Sequence, residues 1–203
     1  LNVQVRNQLD SVRYNLSTLI NSDSAGGYRL AFHPDSVMLN YDEWVIPHSN
    51  RITIGSGNFW IEDLEFRRDQ QAIRIESDIN NMQDTLAVLT AENFELSELA
   101  SLAGDSIPTL SGVLHGNVDY NVSTTGFEAD MDISDFVIRG FEVGNVNMFS
   151  EKSTADSYSA TLEIAGKGNE LNFEGEYKTT GDIKASLDIR NLNLEPIEPI
   201  SSG

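Results

Sequence analysis

The three histidines, His33, His48 and His115, are the side chains best suited to hold a transition metal, but their spacing does not suit one. Zinc sites draw ligands from short, repeated intervals, and these three are scattered. The chain has no cysteine, which removes thiolate ligands, disulfides and a thiol nucleophile. Serines are plentiful, yet none stands in a G-x-S-x-G elbow. "GSGN" (55–58) lacks the third glycine of a dinucleotide loop and runs into an aromatic stretch, so it reads as a turn. "NSDSAGG" (21–27) opens like a calcium loop, but its fifth and twelfth positions would be Ala25 and Phe32, where oxygen ligands are required. Asp130, Asp132 and Asp135 could gather a weak cation, although strand alternation already explains the first two as solvent-facing. The sequons at Asn15 and Asn121 carry little information, and no pair among the many acids is singled out for glycoside hydrolysis. A protein without catalytic residues or a cofactor is expected from these residues.

The charge balance, 13 basic against 32 acidic residues, gives a net −19. Nucleic acid and anionic membrane surfaces would be repelled, so no nucleic-acid partner is expected. No window approaches the ~20 apolar residues of a membrane helix. A start at "LNVQV" and a stop at "PISSG" read as a piece of a longer chain, with any targeting segment outside it.

The elements that must position any site are strands. From Val113 onward apolar residues recur at every second position: Leu114, Val118, Tyr120 and Val122; Phe127, Ala129, Met131 and Ile133; Tyr158, Ala160, Leu162 and Ile164; Leu171, Phe173 and Tyr177; Ile183, Ala185, Leu187 and Ile189. Such alternation gives one apolar and one solvated face. Turn signals "STTG" (123–126), "GKGNE" (166–170) and "KTTGD" (178–182) separate the runs, and spacers this short predict antiparallel neighbours. The first half alternates less cleanly, and a phase slip in "NFWIEDLEF" (58–66) predicts a bulge near Glu62–Asp63. In the first twenty residues Leu9, Val12, Leu16 and Leu19 would make a helical stripe, while Val12, Tyr14 and Leu16 would make a strand face; the β character of the rest favours strands. One short helical turn is expected over 97–104, capped by Ser97 and stopped by Gly104.

An internal echo links the halves. "DTLAVLTAENFEL" (84–96) and "DIKASLDIRNLNL" (182–194) share five residues and the same strand phase at an offset of 98. A repeated strand-then-turn phrase belongs to an array whose units complete one another's cores. Two segments of one repeating groove are expected, 1–104 and 105–203. The apolar face then needs cover, because a meander of this size would otherwise expose more than the few hundred Å² usual for soluble monomers.

The order of several phrases is similar to the TamB family of AsmA-like envelope proteins, especially Bacteroidetes forms: "WVIP" (44–47), "NRITIGSGNFWIEDLEFRRDQQAIRIES" (50–77), "LTAENFELSELASLAG" (89–104), "PTLSGVLHGNVDY" (108–120) and "LDIRNLNLEPIEPI" (187–200). The likeness covers the chain from about Trp44. It implies an all-β, curled antiparallel meander, a taco-like trough with an apolar interior. It also implies a periplasmic part of a Gram-negative, inner-membrane-anchored protein concerned with phospholipid transport between the membranes and with outer-membrane protein assembly. The implied partners are phospholipid acyl chains or unfolded outer-membrane protein strands, and a BamA-like barrel engaged through regions outside this segment. It supplies no catalytic residue. Inward groove residues are expected to be Val118, Tyr120, Val122, Phe127, Met131, Ile133, Leu162, Ile164, Leu171, Phe173, Ile183, Leu187 and Ile189. A β-sandwich that binds glycans or mediates adhesion is the competing reading, and it requires an aromatic platform from Trp44, Trp60, Tyr41 or Tyr158.

Overall fold

A computed structural model describes residues 1–6, 9–22, 26–55, 58–78, 86–98, 110–121 and 124–193. The protein is all-β. Its first sheet contains β1 (Asn2–Arg6), β2 (Val12–Ser22), β3 (Tyr28–Phe32), β4 (Met38–Leu39), β5 (Asp42–Glu43), β6 (Arg51–Gly55) and β7 (Asn58–Glu62). They are ordered β5-β4-β2-β3-β6-β7, with β1 also on β2. The second sheet contains β8 (Leu64–Arg68), β9 (Gln71–Ser77), β10 (Leu86–Glu95), β11 (Leu110–Asn121), β12 (Gly126–Ile138), β13 (Phe141–Thr154), β14 (Ser157–Gly166), β15 (Asn169–Lys178) and β16 (Ile183–Asn191). These nine lie side by side in chain order and form an open meander. The pairings β8–β9–β10 and β12 through β16 are antiparallel, as the short spacers predict. The chain divides into two compact units, 1–92 with 119–123 and 93–118 with 124–203.

In the first unit the ambiguous N-terminus is strand: Tyr14 pairs with Val5 and Leu16 with Val3. The expected bulge at Glu62–Asp63 is instead a corner. β7 pairs with β6 in one sheet and β8 with β9 in the other, and between them Asp63 takes φ +49. Because the chain turns there, the alternation restarts in a new phase. The "WVIP" segment forms core: Trp44 and Ile46 are buried while Val45 points out and bridges to Arg67. Arg68 stacks on Trp44 at 5.2 Å and pairs with Asp42.

Glu65, opposite Arg74 on the β8–β9 pair, accepts from Arg67 at 2.5 Å and from Arg74 at 3.0 and 3.1 Å. Burial alone would raise its carboxyl, but the two arginines outweigh burial and hold it below the ordinary 4.5. A depressed carboxyl stabilises the fold above its unfolded value and loses that contribution as pH falls through the folded one. Glu65→Gln should therefore cost about 1 kcal/mol at neutral pH and progressively less below pH 4.5, as read from urea midpoints across a pH series.

In the second unit Leu96, Ile133 and Val146 are buried, with Leu110, Leu114, Phe136, Val143, Met148, Leu162 and Ile164 packed on them. Residues 96–98 are helical after β10, and the rest of the expected turn lies outside the described residues. Both copies of the echo contain a strand, Leu86–Glu95 in the first and Ile183–Asn191 in the second. Phe94 and Leu96 of the first are buried, whereas Leu192 of the second is largely exposed. Residues 79–85 and 194–203 lie outside the described residues.

Candidate functional site

Register aligns the apolar residues of the second unit into transverse rows. On one face Met131, Met148, Leu162, Phe173 and Leu187 are successive cross-strand partners from β12 to β16. Ile133, Val146, Ile164, Leu171 and Ile189 form the next row. On the other side of the first row runs a row of small residues, Ala129, Ser150, Ala160, Gly175 and Ala185. The ring of Phe173 leans over Gly175, giving this row an aromatic floor. Beyond it Tyr158 pairs with Tyr177 and Tyr177 with Ile183, and Phe127 meets Tyr158 at a centroid distance of 6.2 Å. Each direct neighbour in such a row contributes roughly 0.2–1 kcal/mol.

Burial along a row is graded. Val146 is 5% exposed, whereas Ile189 is 47% and Leu187 57% exposed on the edge strand β16. The face is thus covered near β12 and β13 and open toward β16. Of the expected groove residues, Phe127, Met131, Ile133, Leu162, Ile164, Leu171, Phe173, Ile183, Leu187 and Ile189 share this face. Val118 and Tyr120 lie in phase on β11, and Val122 lies outside the described residues. Sequence reasoning missed Val146 and Met148, the β13 members of both long rows, because it assigned no strand over 141–154.

The opposite face carries the acids. Asp132, Asn147, Glu163, Asn172 and Asp188 form one row there, and Asp130, Phe149, Thr161, Glu174 and Ser186 another. All of these except Asp132 line a hollow of about 440 Å³, to which Met148, Leu162 and Phe173 also contribute. Asp135 sits at a β12 irregularity with φ +49 and accepts no metal-like company: among the described residues no three His, Asp or Glu side chains converge on a cation position. His115 instead accepts the Asn93 backbone N–H at 3.3 Å, a structural role.

No family model, curated protein or solved structure matches the chain. The functional reading therefore rests on the residues themselves. For the glycan alternative, Trp44 is buried and Tyr158 belongs to the apolar face, which removes two of its four aromatic candidates. No helix among the described residues is long and apolar enough to cross a membrane.

Proposed function

We propose that this chain is a non-enzymatic, groove-forming segment of a Gram-negative envelope protein, whose apolar sheet face solvates acyl chains as phospholipid passes between the membranes. The observation that carries the reading is the pair of five-strand apolar rows, in register and open toward β16. An ordinary core would bury such rows completely; a conduit needs them continuous and only loosely covered. Each large side chain left wet forgoes roughly 1.5–3 kcal/mol of burial, which an acyl chain lying on the face would recover. The order of TamB-like phrases supports the same reading.

Charges placed on the face test it. The Met131→Asp, Phe173→Asp double variant should retain at least about tenfold less co-purifying phospholipid than the unaltered protein, measured by mass spectrometry of solvent extracts. The full-length protein carrying several such inward charges should also fail to maintain the envelope. Unchanged lipid retention, or normal envelope integrity, would overturn the conduit.

One observation favours a second cargo. β16 ends the sheet order, and every one of its residues is exposed. Its outer edge offers a template for strand addition, through which an unfolded outer-membrane protein strand would bind. Crosslinking from exposed positions 184 and 186 to a β-hairpin peptide would detect that mode.

A further inference from the structure

Among the described residues of strands β12 to β16, the apolar face has one charged intruder. Along β13 the residues in phase with it are Val146, Met148 and Ser150, and Lys152 follows where the register shifts between Glu151 and Thr154. The Lys152 ammonium lies 5.7 Å from the centre of the Tyr158 ring, at the aromatic end of the face. The chain has four lysines. Lys167 pairs with Glu142 at 3.1 Å, and Lys178 and Lys184 both approach Glu176, at 3.7 and 3.8 Å. Lys152 has no carboxylate within ion-pair distance among the described residues. It donates to Thr125 Oγ1 at 2.9 Å and approaches the Thr124 and Thr125 carbonyls at 3.5 Å, all neutral oxygens. Of the four lysines, Lys152 alone has no acid at ion-pair distance among the described residues.

We propose that Lys152 is the headgroup anchor of the groove: it receives the phosphate of a phospholipid whose acyl chain lies over the apolar rows. The inference rests on the conduit reading above and names the part of the cargo that reading leaves open. Charge complementarity selects the occupant. A phosphodiester can accept from Lys152 while the Tyr158 and Tyr177 rings, packed together at 6.0 Å, offer one surface for its glycerol end. From Lys152 the face runs three two-residue steps to Val146, about 20 Å. One leaflet's acyl layer is about 15 Å, half of the hydrocarbon core, so a tail fits within that run. The acids of the opposite face keep bulk anionic surfaces away, which leaves a single headgroup at the rim as the form in which negative charge can approach.

A lysine in an apolar row could also serve only to discourage mispairing of strands. The two roles separate in one experiment. The full chain is titrated calorimetrically with submicellar oleoyl lysophosphatidylglycerol and, separately, with monooleoylglycerol, which has the same tail and a neutral head. The phosphate-headed probe should bind about five- to tenfold tighter, and the preference should shrink in high salt. Lys152→Gln should abolish the preference, with weak binding of both probes retained, and Lys152→Arg should keep it. Equal affinity for the two heads, or a preference that survives Lys152→Gln, would overturn the anchor and leave the acyl conduit standing. Failure of the unaltered protein to bind either probe would overturn the conduit and the anchor together.

Discussion

Replacing Gly116 with alanine is expected to destabilise the second unit by about 3–5 kcal/mol, a large effect for one methyl group. The glycine sits in β11 at φ +150, and a Cβ there would lie 2.2 Å from the Asp130 carbonyl oxygen and 2.7 Å from Met131 Cα on β12. Both obstacles are backbone, so no rotamer change relieves them. Gly112, one four-residue step earlier, meets the same strand at Ser134, Ile133 and Phe136. The two glycines of "LSGVLHG" thus let β11 pass closer to β12 than any side chain permits. Gly181→Ala is the control. That glycine also has positive φ, +101, but a Cβ would meet nothing within 4 Å, so only backbone strain of about 1 kcal/mol should appear. Urea unfolding followed by far-UV circular dichroism measures both. Equal, small losses would show that β11 does not need the close passage.

Asn50→Asp should cost about 3 kcal/mol or more in the first unit. Asn50 is 3% exposed, and its amide makes three hydrogen bonds. Its Nδ2 donates to the Phe32 carbonyl at 2.9 Å and the Pro47 carbonyl at 2.6 Å, and its Oδ1 accepts the Phe32 N–H at 2.7 Å. It clamps the end of β3 to the segment carrying Trp44 and Ile46. A carboxylate of the same shape keeps the accepted bond but turns its other oxygen on two carbonyls, a buried charge facing two acceptors. Both tryptophans, Trp44 and Trp60, lie within residues 1–92, so the urea midpoint by tryptophan emission reports this unit. Since burial raises the aspartate's pKa in the fold, the loss should be constant above that folded pKa and lessen as the pH falls through it toward the unfolded value. A loss below about 1 kcal/mol would mean that the clamp is not holding the segment.

Much of the β-sheet was legible because the relevant signal is local. Side chains alternate across a strand by covalent geometry, so Leu162, Ile164, Leu171, Phe173, Leu187 and Ile189 reveal their shared phase without any knowledge of neighbours. The one long strand that escaped, β13, breaks the rule at both phases. Phe149 stands among the polar-face residues, and Ser150 and Lys152 stand among the apolar ones. The chain switch at Asp63 was visible as a phase slip, but a bulge and a corner disturb alternation alike; only the hydrogen-bond partners of β7 and β8 tell them apart.

The sequence by itself determined an all-β chain with an apolar face and an acidic face, because the two-residue period is a property of each strand alone. Tertiary structure decided what those faces contain. Which residues become transverse neighbours depends on register between strands, a consequence of long-range backbone hydrogen bonding that no single segment encodes. Register brought Met148 and Val146 into the rows, set Lys152 beside Tyr158, and gave Gly116 its reason to lack a side chain.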